Sequence, residues 1–151
     1  MREGSAMGSE TEEIEETEDT EEAEESAAGG PNVLIVDDEA ATRALLRAMV
    51  EGLSVPCRVF EAADGEMALE IARRTRPDLV LLDIVLPGSG ASGVWVCQEL
   101  SKDRRTKVVI VSGKAGESVI RACLYAGAIE HIPKPFSVPE LRVKLEQWLA
   151  G

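Results

Sequence analysis

Beyond Pro31 the apolar residues fall into two alternating patterns, short unbroken runs and longer stretches at helical spacing, with turn residues between them. The runs are Val33-Leu34-Ile35-Val36, Val59-Phe60, Leu79-Val80-Leu81-Leu82, Val108-Val109-Ile110-Val111 and Ala128-Ile129 to Ile132. Continuous β-branched residues and leucines suit strands covered on both faces, as in a parallel sheet under helices. Five strands are predicted. Between them, Thr42, Leu45, Leu46, Met49, Val50 and Leu53 recur with the period of a helix that Gly52 and Pro56 end, leaving Arg43 and Arg47 on its outer face. Ala68, Leu69, Ile71 and Ala72 give a second helix before Pro77, and a third lies near Val94 to Leu100. A fourth, at Val119, Ile120, Cys123 and Leu124, stops at Gly127. The fifth opens on Ser137 and Glu140, spaced as a capping box around Pro139, and buries Leu141, Leu145, Trp148 and Leu149.

Strand and helix thus alternate five times. The fold class predicted is α/β, an open, doubly wound parallel sheet of (βα)5 order whose ligands sit beyond the carboxyl ends of the strands near the switch point. A chain of 151 residues suits one such domain with a core of its own.

Charge divides the chain more sharply than hydropathy. Of the net charge of -12, residues 1–30 hold twelve acids and one base, Arg2, while residues 31–151 are nearly neutral. Glu10 to Glu25 is almost all Glu and Thr, with Ile14 its only large apolar residue, too little to repay the entropy of ordering. Residues 1–30 are therefore expected to be a disordered acidic tail, with Ser26 to Pro31 as linker and residues 31–151 as the domain. The tail is a solubilising segment, a lure for a basic partner, or an intramolecular cover for a basic patch.

The near-neutral domain lacks the positive stripe that displaces counterions from nucleic acid, so no nucleic-acid binding is expected through it. No apolar run approaches the length of a membrane span, and the acidic start does not fit a signal peptide, so a cytoplasmic location is expected. Cys57, Cys97 and Cys123 are odd in number, widely spaced and set among apolar neighbours, which points to reduced core thiols.

Candidate chemistry gathers where the fold class puts ligands. Asp37, Asp38 and Glu39 end the first strand, Asp83 the third and Ser112 the fourth, and Lys134 follows the fifth. An aspartate at one strand end is usually a cap or turn residue. Carboxylates converging at one sheet edge repel each other, and a hard divalent cation with oxygen ligands, for which Mg²⁺ fits, relieves that cost. With a lysine and a hydroxyl opposite, the set becomes a clamp for a phosphoryl group, and a carboxylate so placed can attack phosphorus to give an acyl phosphate.

Val33-Leu34-Ile35-Val36-Asp37-Asp38-Glu39, Pro77-Asp78-Leu79-Val80-Leu81-Leu82-Asp83, Leu86-Pro87-Gly88 and Lys134-Pro135-Phe136 together resemble the receiver domain of bacterial response regulators, of chemotaxis type, over about residues 32–150. The resemblance implies a flavodoxin-like sheet and a module of two-component, phosphorelay signalling that catalyses only its own phosphorylation and dephosphorylation. It implies Asp83 as the phosphorylated residue, Mg²⁺ held by Asp37, Asp38, Asp83 and the Val85 carbonyl, Ser112 as switch hydroxyl, and Lys134 as the contact to the phosphoryl group. A sensor histidine kinase or phosphotransfer protein would donate the group, and the face of the fourth helix, fifth strand and fifth helix would select a downstream protein partner. The oligomeric state is not implied.

Three positions depart from the pattern. Gly88 to Gly93 makes a loop about two residues longer than usual, His131 stands where the fifth strand usually carries the aromatic switch residue, and Gly113-Lys114 follows Ser112 where alanine is common. Two other functions can be set against the same residues. A Mg²⁺-dependent phosphatase of haloacid-dehalogenase type needs an aspartate two residues after its nucleophile, where this chain has Val85. A phosphorylation-independent interaction or localisation module has no reason to keep a costly charge cluster.

Overall fold

The computed structural model describes residues 29–86 and 92–150. The expectations for most of the acidic tail and for the centre of the glycine-rich loop lie outside the described residues. Ten elements alternate along the chain: β1 (Asn32–Val36), α1 (Ala40–Glu51), β2 (Arg58–Ala62), α2 (Gly65–Thr75), β3 (Leu79–Leu82), α3 (Gly93–Leu100), β4 (Lys107–Ser112), α4 (Glu117–Ala126), β5 (Glu130–Pro133) and α5 (Val138–Ala150).

The strands pair in parallel in the order β2-β1-β3-β4-β5. In β1, β3 and β4 alternate residues feed two separate cores, as a period of two requires. Leu34, Val36, Val80, Leu82, Val108 and Ile110 meet Ala68 of α2, Val96, Cys97 and Leu100 of α3, and Cys123 of α4. Val33, Ile35, Leu79, Leu81, Val109 and Val111 meet Leu46 and Val50 of α1 and Leu141, Leu145 and Leu149 of α5. Three helices thus cover one face of the sheet and two the other, which explains the unbroken apolar runs of the central strands.

Local chemistry sets several helix ends. The Asp64 carboxylate accepts the Met67 amide at 2.8 Å, and the Ser92 hydroxyl accepts the Trp95 amide at 3.1 Å, each capping a first turn. Ser137 accepts the Glu140 amide at 3.3 Å, so its half of the capping box forms as the spacing predicts. Gly93 starts α3 hard against Ile84, where a Cβ would stand 2.1 Å from the Ile84 carbonyl oxygen. Gly93→Ala is therefore expected to lower stability by about 2 kcal/mol through overpacking, measured by denaturant unfolding. An unchanged midpoint would mean that α3 slides freely over Ile84.

Two expectations about α1 are corrected. The Arg43 side chain, placed on the outer face by periodicity, is only 19% exposed and bonds Glu61 of β2 at 2.9 Å. Arg47 reaches the same carboxylate at 2.6 Å. Leu45, placed on the buried face, is exposed, as are Val119 and Leu124 of α4. The buried stripes of these helices are narrower than the apolar ones. Burial first works against ionising Glu61, yet the hydrogen bonds and charges of Arg47 and Arg43 outweigh it and hold the carboxyl below its usual range.

Cys97 and Cys123 are buried free thiols and Cys57 is half-buried. Burial, then the neighbouring Cys97, pushes the Cys123 thiol up to about 12, while burial dominates the upward shift of Cys97. Both are expected to resist a thiol reagent in the native protein and to react on unfolding, as counted by mass. Fast native labelling of either would show that the α3 and α4 layer opens readily.

Candidate phosphoryl-acceptor site

The strand order reverses at β1, which has β2 on one side and β3 on the other, so the crevice beyond β1 and β3 is the switch point. Val36 pairs with Leu82, and the residues that follow, Asp37 and Asp83, come out side by side. The Asp83 amide donates to the Val36 carbonyl at 2.9 Å and the Asp37 amide to Ala62 at 3.1 Å, which extends strand-like bonding into the site. Both aspartates are buried, at 2% and 7% exposure. Asp38, one residue on, is exposed.

Each buried carboxylate has its two oxygens committed differently. Asp37 Oδ1 accepts the Glu39 amide at 2.9 Å, and Asp83 Oδ1 accepts the Val85 amide at 2.9 Å. The opposite oxygens share one cation: Lys134 Nζ donates to Asp37 Oδ2 at 2.7 Å and to Asp83 Oδ2 at 3.1 Å. Burial alone would lower the Lys134 pKa, but hydrogen bonds to Asp37 and Asp83 and their charges prevail and raise it. The lysine arrives from the far side of the sheet because Ser112 pairs with Pro133 and the Lys134 amide donates to the Ser112 carbonyl at 3.3 Å.

The Ser112 hydroxyl is buried and has no hydrogen-bond partner among the described residues. An unsatisfied buried hydroxyl costs about 1–3 kcal/mol, a cost that a ligand oxygen would remove. The Ser112 carbonyl also meets His131 Nε2 at 3.1 Å, which joins the end of β4 to the middle of β5. Gly113 answers one departure: a Cβ there would stand 3.0 Å from Lys134 Cβ, so glycine lets the turn after β4 and the Lys134 backbone lie together.

Asp37, Asp38 and Asp83 each offer a carboxylate oxygen, and these atoms lie within 4.8 Å of one another. An all-oxygen, anionic donor set fits a small hard dication such as Mg²⁺. The sequence-predicted residues Asp37, Asp38, Asp83 and Lys134 come together at the switch point, with Val85 bonded to Asp83 through its amide. Sequence reasoning missed Arg43, whose guanidinium donates to the Asp37 carbonyl at 2.7 Å while gripping Glu61. The signal was an arginine pair four residues apart, Arg43 and Arg47, together with a lone glutamate in a strand.

This fold and site define a class. The chain belongs to the response regulator receiver domain family, whose model matches residues 33–146. It is 39% identical over 114 residues to the KDP operon transcriptional regulatory protein KdpE of Escherichia coli, covering 76% of this chain and 49% of that protein. It is 34% identical over 120 residues to sporulation initiation phosphotransferase F of Bacillus subtilis, covering 78% of this chain and 92% of that protein. The chain thus spans about half the length of the transcriptional regulators it matches. Among solved structures, the receiver domain of sensor histidine kinase PA1611 from Pseudomonas aeruginosa, with a magnesium ion coordinated in its active-site cleft, superposes with a TM-score of 0.68. Identity is 30%, over 81% of this chain and 99% of that one.

Receiver domains of response regulators are regulatory phospho-acceptors of two-component signalling rather than enzymes acting on a separate substrate. The family generally binds Mg²⁺ at an acidic pocket, and an aspartate cluster is present here. Among the described residues no helix is long and apolar enough to cross a membrane.

Proposed function

We propose that residues 31–151 form a receiver that takes a phosphoryl group onto Asp83 from a sensor histidine kinase or phosphotransfer protein, with residues 1–30 as an appended tail. The observation that carries this reading is the single lysine shared by two buried carboxylates at the switch point. In the transfer, Asp83 Oδ attacks phosphorus as the bond from phosphorus to the donor imidazole nitrogen breaks, and the electron pair leaves with that nitrogen. Asp37, Asp38, Asp83 and the Val85 carbonyl would hold Mg²⁺, which would supply charge neutralisation for the transferring oxygens. Lys134 meets the same charge from the other side, and the Ser112 hydroxyl gains its missing partner by turning to a phosphoryl oxygen.

The contact between the Ser112 carbonyl and His131 Nε2 supports His131 as a polar substitute for the aromatic switch, through which a movement of the end of β4 would reach β5. The face of α4, β5 and α5 then changes toward a downstream protein partner. Incubation with acetyl phosphate and Mg²⁺ is expected to add the mass of one phosphoryl group, and chelation of the metal to prevent it. No uptake, or uptake unaffected by chelation, would contradict the reading.

The acyl phosphate is expected to be long-lived. Val85 follows Asp83 by two positions, bonds it through the amide and exposes 45% of its surface. A valine cannot orient a water toward phosphorus as an amide or acid can. Val85→Asn and Val85→Asp are expected to speed loss of the group several-fold in Mg²⁺ buffer. Slower loss would mean that access, not orientation, limits hydrolysis.

A further inference from the structure

The three clustered carboxylates are held unequally. Asp37 is fastened at every polar atom: its amide donates to the Ala62 carbonyl at 3.1 Å, Oδ1 accepts the Glu39 amide at 2.9 Å, Oδ2 accepts Lys134 Nζ at 2.7 Å, and its carbonyl accepts Arg43 Nη1 at 2.7 Å. Asp83 is held at both carboxylate oxygens, by the Val85 amide and Lys134. Asp38 is exposed, and no hydrogen bond or ion pair among the described residues holds its carboxylate.

The direction of the Asp38 carboxylate is therefore set through its backbone. Its two dihedrals are rotations between the peptide plane before it and the plane after it. The plane before carries the Asp37 carbonyl, held by Arg43, and the plane after carries the Glu39 amide, held by Asp37 Oδ1. The second bond is local to the turn. The first depends on Arg43, in the first turn of α1, whose Nε donates to Glu61 at 2.9 Å. Glu61 pairs with Ile35 in the ladder of β1 and β2, so the guanidinium is braced on the sheet rather than on the turn it holds. Glu39, the N-cap residue of α1, makes no side-chain capping bond that would fasten the turn instead.

Charge and geometry make opposite demands at this place. A cation beside three carboxylates competes with a dication for them, so on Coulomb grounds alone removal of Arg43 would tighten Mg²⁺ binding. Glu61 already has Arg47 at 2.6 Å, so Arg43 is not needed to neutralise it. What Arg43 adds is the bond to the Asp37 carbonyl, made with one nitrogen of a rigid fork while another grips Glu61.

We propose that Arg43 is a positioning residue for the cation site, fixing the peptide between Asp37 and Asp38 so that the exposed Asp38 carboxylate stays within reach of those of Asp37 and Asp83. This rests on the receiver reading above and adds a residue that need touch neither metal nor phosphoryl group. Without Arg43 the Asp38 dihedrals are less restricted, and metal binding must bear the entropy of ordering them.

The test is Mg²⁺ titration of the full, unphosphorylated chain, followed by the amide resonances of Asp38 and Glu39, in wild type, Arg43→Met, Arg43→Lys and Arg47→Met. Arg47→Met takes a positive charge from the same glutamate but leaves the bond to the Asp37 carbonyl in place. Arg43→Met is expected to weaken Mg²⁺ binding about tenfold, and Arg47→Met to leave it within about twofold of wild type. Arg43→Lys keeps the charge but not the fork, and is expected to lose at least about threefold, which carries the test should Arg43→Met fail to fold. Unchanged or tighter binding by folded Arg43→Met, wild-type affinity in Arg43→Lys, or an equal loss in Arg47→Met would overturn the positioning role. A wild type that binds no Mg²⁺ would overturn the receiver reading itself, and this role with it.

Discussion

Lys134→Met is expected to destabilise the metal-free protein by about 3 kcal/mol, as removing one partner from a buried ionic cluster does, and to slow phosphoryl uptake by about a hundredfold. The two effects share a cause. Lys134 is the cation between Asp37 Oδ2 and Asp83 Oδ2, both on nearly inaccessible side chains. Without it the two carboxylates face each other across a site with little water to screen them. Methionine keeps most of the stem, so the loss reads the charge rather than a cavity.

The sign with pH follows from the raised Lys134 pKa, in which burial is outweighed by the hydrogen bonds and charges of Asp37 and Asp83. A raised folded pKa stabilises fully below the unfolded value and is lost as pH climbs through the folded one. The difference between wild type and Lys134→Met is therefore expected to be undiminished at neutral pH and to shrink only beyond the ordinary lysine range. Mg²⁺ should narrow it, because a dication on the same oxygens relieves the same repulsion. Urea unfolding with and without Mg²⁺ checks this, and a variant as stable as the wild type in metal-free buffer would refute the electrostatic account.

The parts of this fold that were legible in the sequence are those where burial is complete. β1, β3 and β4 are covered on both faces, so their apolar runs are unbroken. β2 and β5 lie at the sheet edges and are only partly buried. The run Val59-Phe60 accordingly marks only the middle of Arg58–Ala62, and the run ending at Ile132 overlaps a strand displaced to Glu130–Pro133. Leu45, Val119 and Leu124 show the complementary limit: periodicity gives the direction of a helix's buried stripe but not its width.

In the site, the clustering of Asp37, Asp83 and Lys134 was legible because parallel strands deliver their carboxyl ends to one edge, so strand-end chemistry converges whatever the loops do. Arg43 was legible only as half of an arginine pair on one helix face, not as a contact of the site. Its role depends on Glu61, which a helical pattern does not see because the two meet only after β2 pairs with β1. The orphaned hydroxyl of Ser112 and its carbonyl link to His131 likewise exist only once β4 and β5 are paired.

The other large effect expected is complete loss of phosphoryl acceptance in Asp83→Asn. Asp83 and Asp37 both touch Lys134, but Asp37 is 2% exposed and its second oxygen holds the Glu39 amide at the start of α1. Asp83 directly follows β3, which lies between β1 and β4, so that Lys134, Asp37 and the end of β4 all converge on it. An asparagine keeps the shape and the bond from the Val85 amide but lacks a nucleophilic carboxylate oxygen. The decisive measurement is the intact mass of wild type and Asp83→Asn after incubation with acetyl phosphate and Mg²⁺, with folding of both verified by circular dichroism. The wild type is expected to gain one phosphoryl group and Asp83→Asn none; uptake by folded Asp83→Asn equal to wild type would contradict the assignment of Asp83 as acceptor.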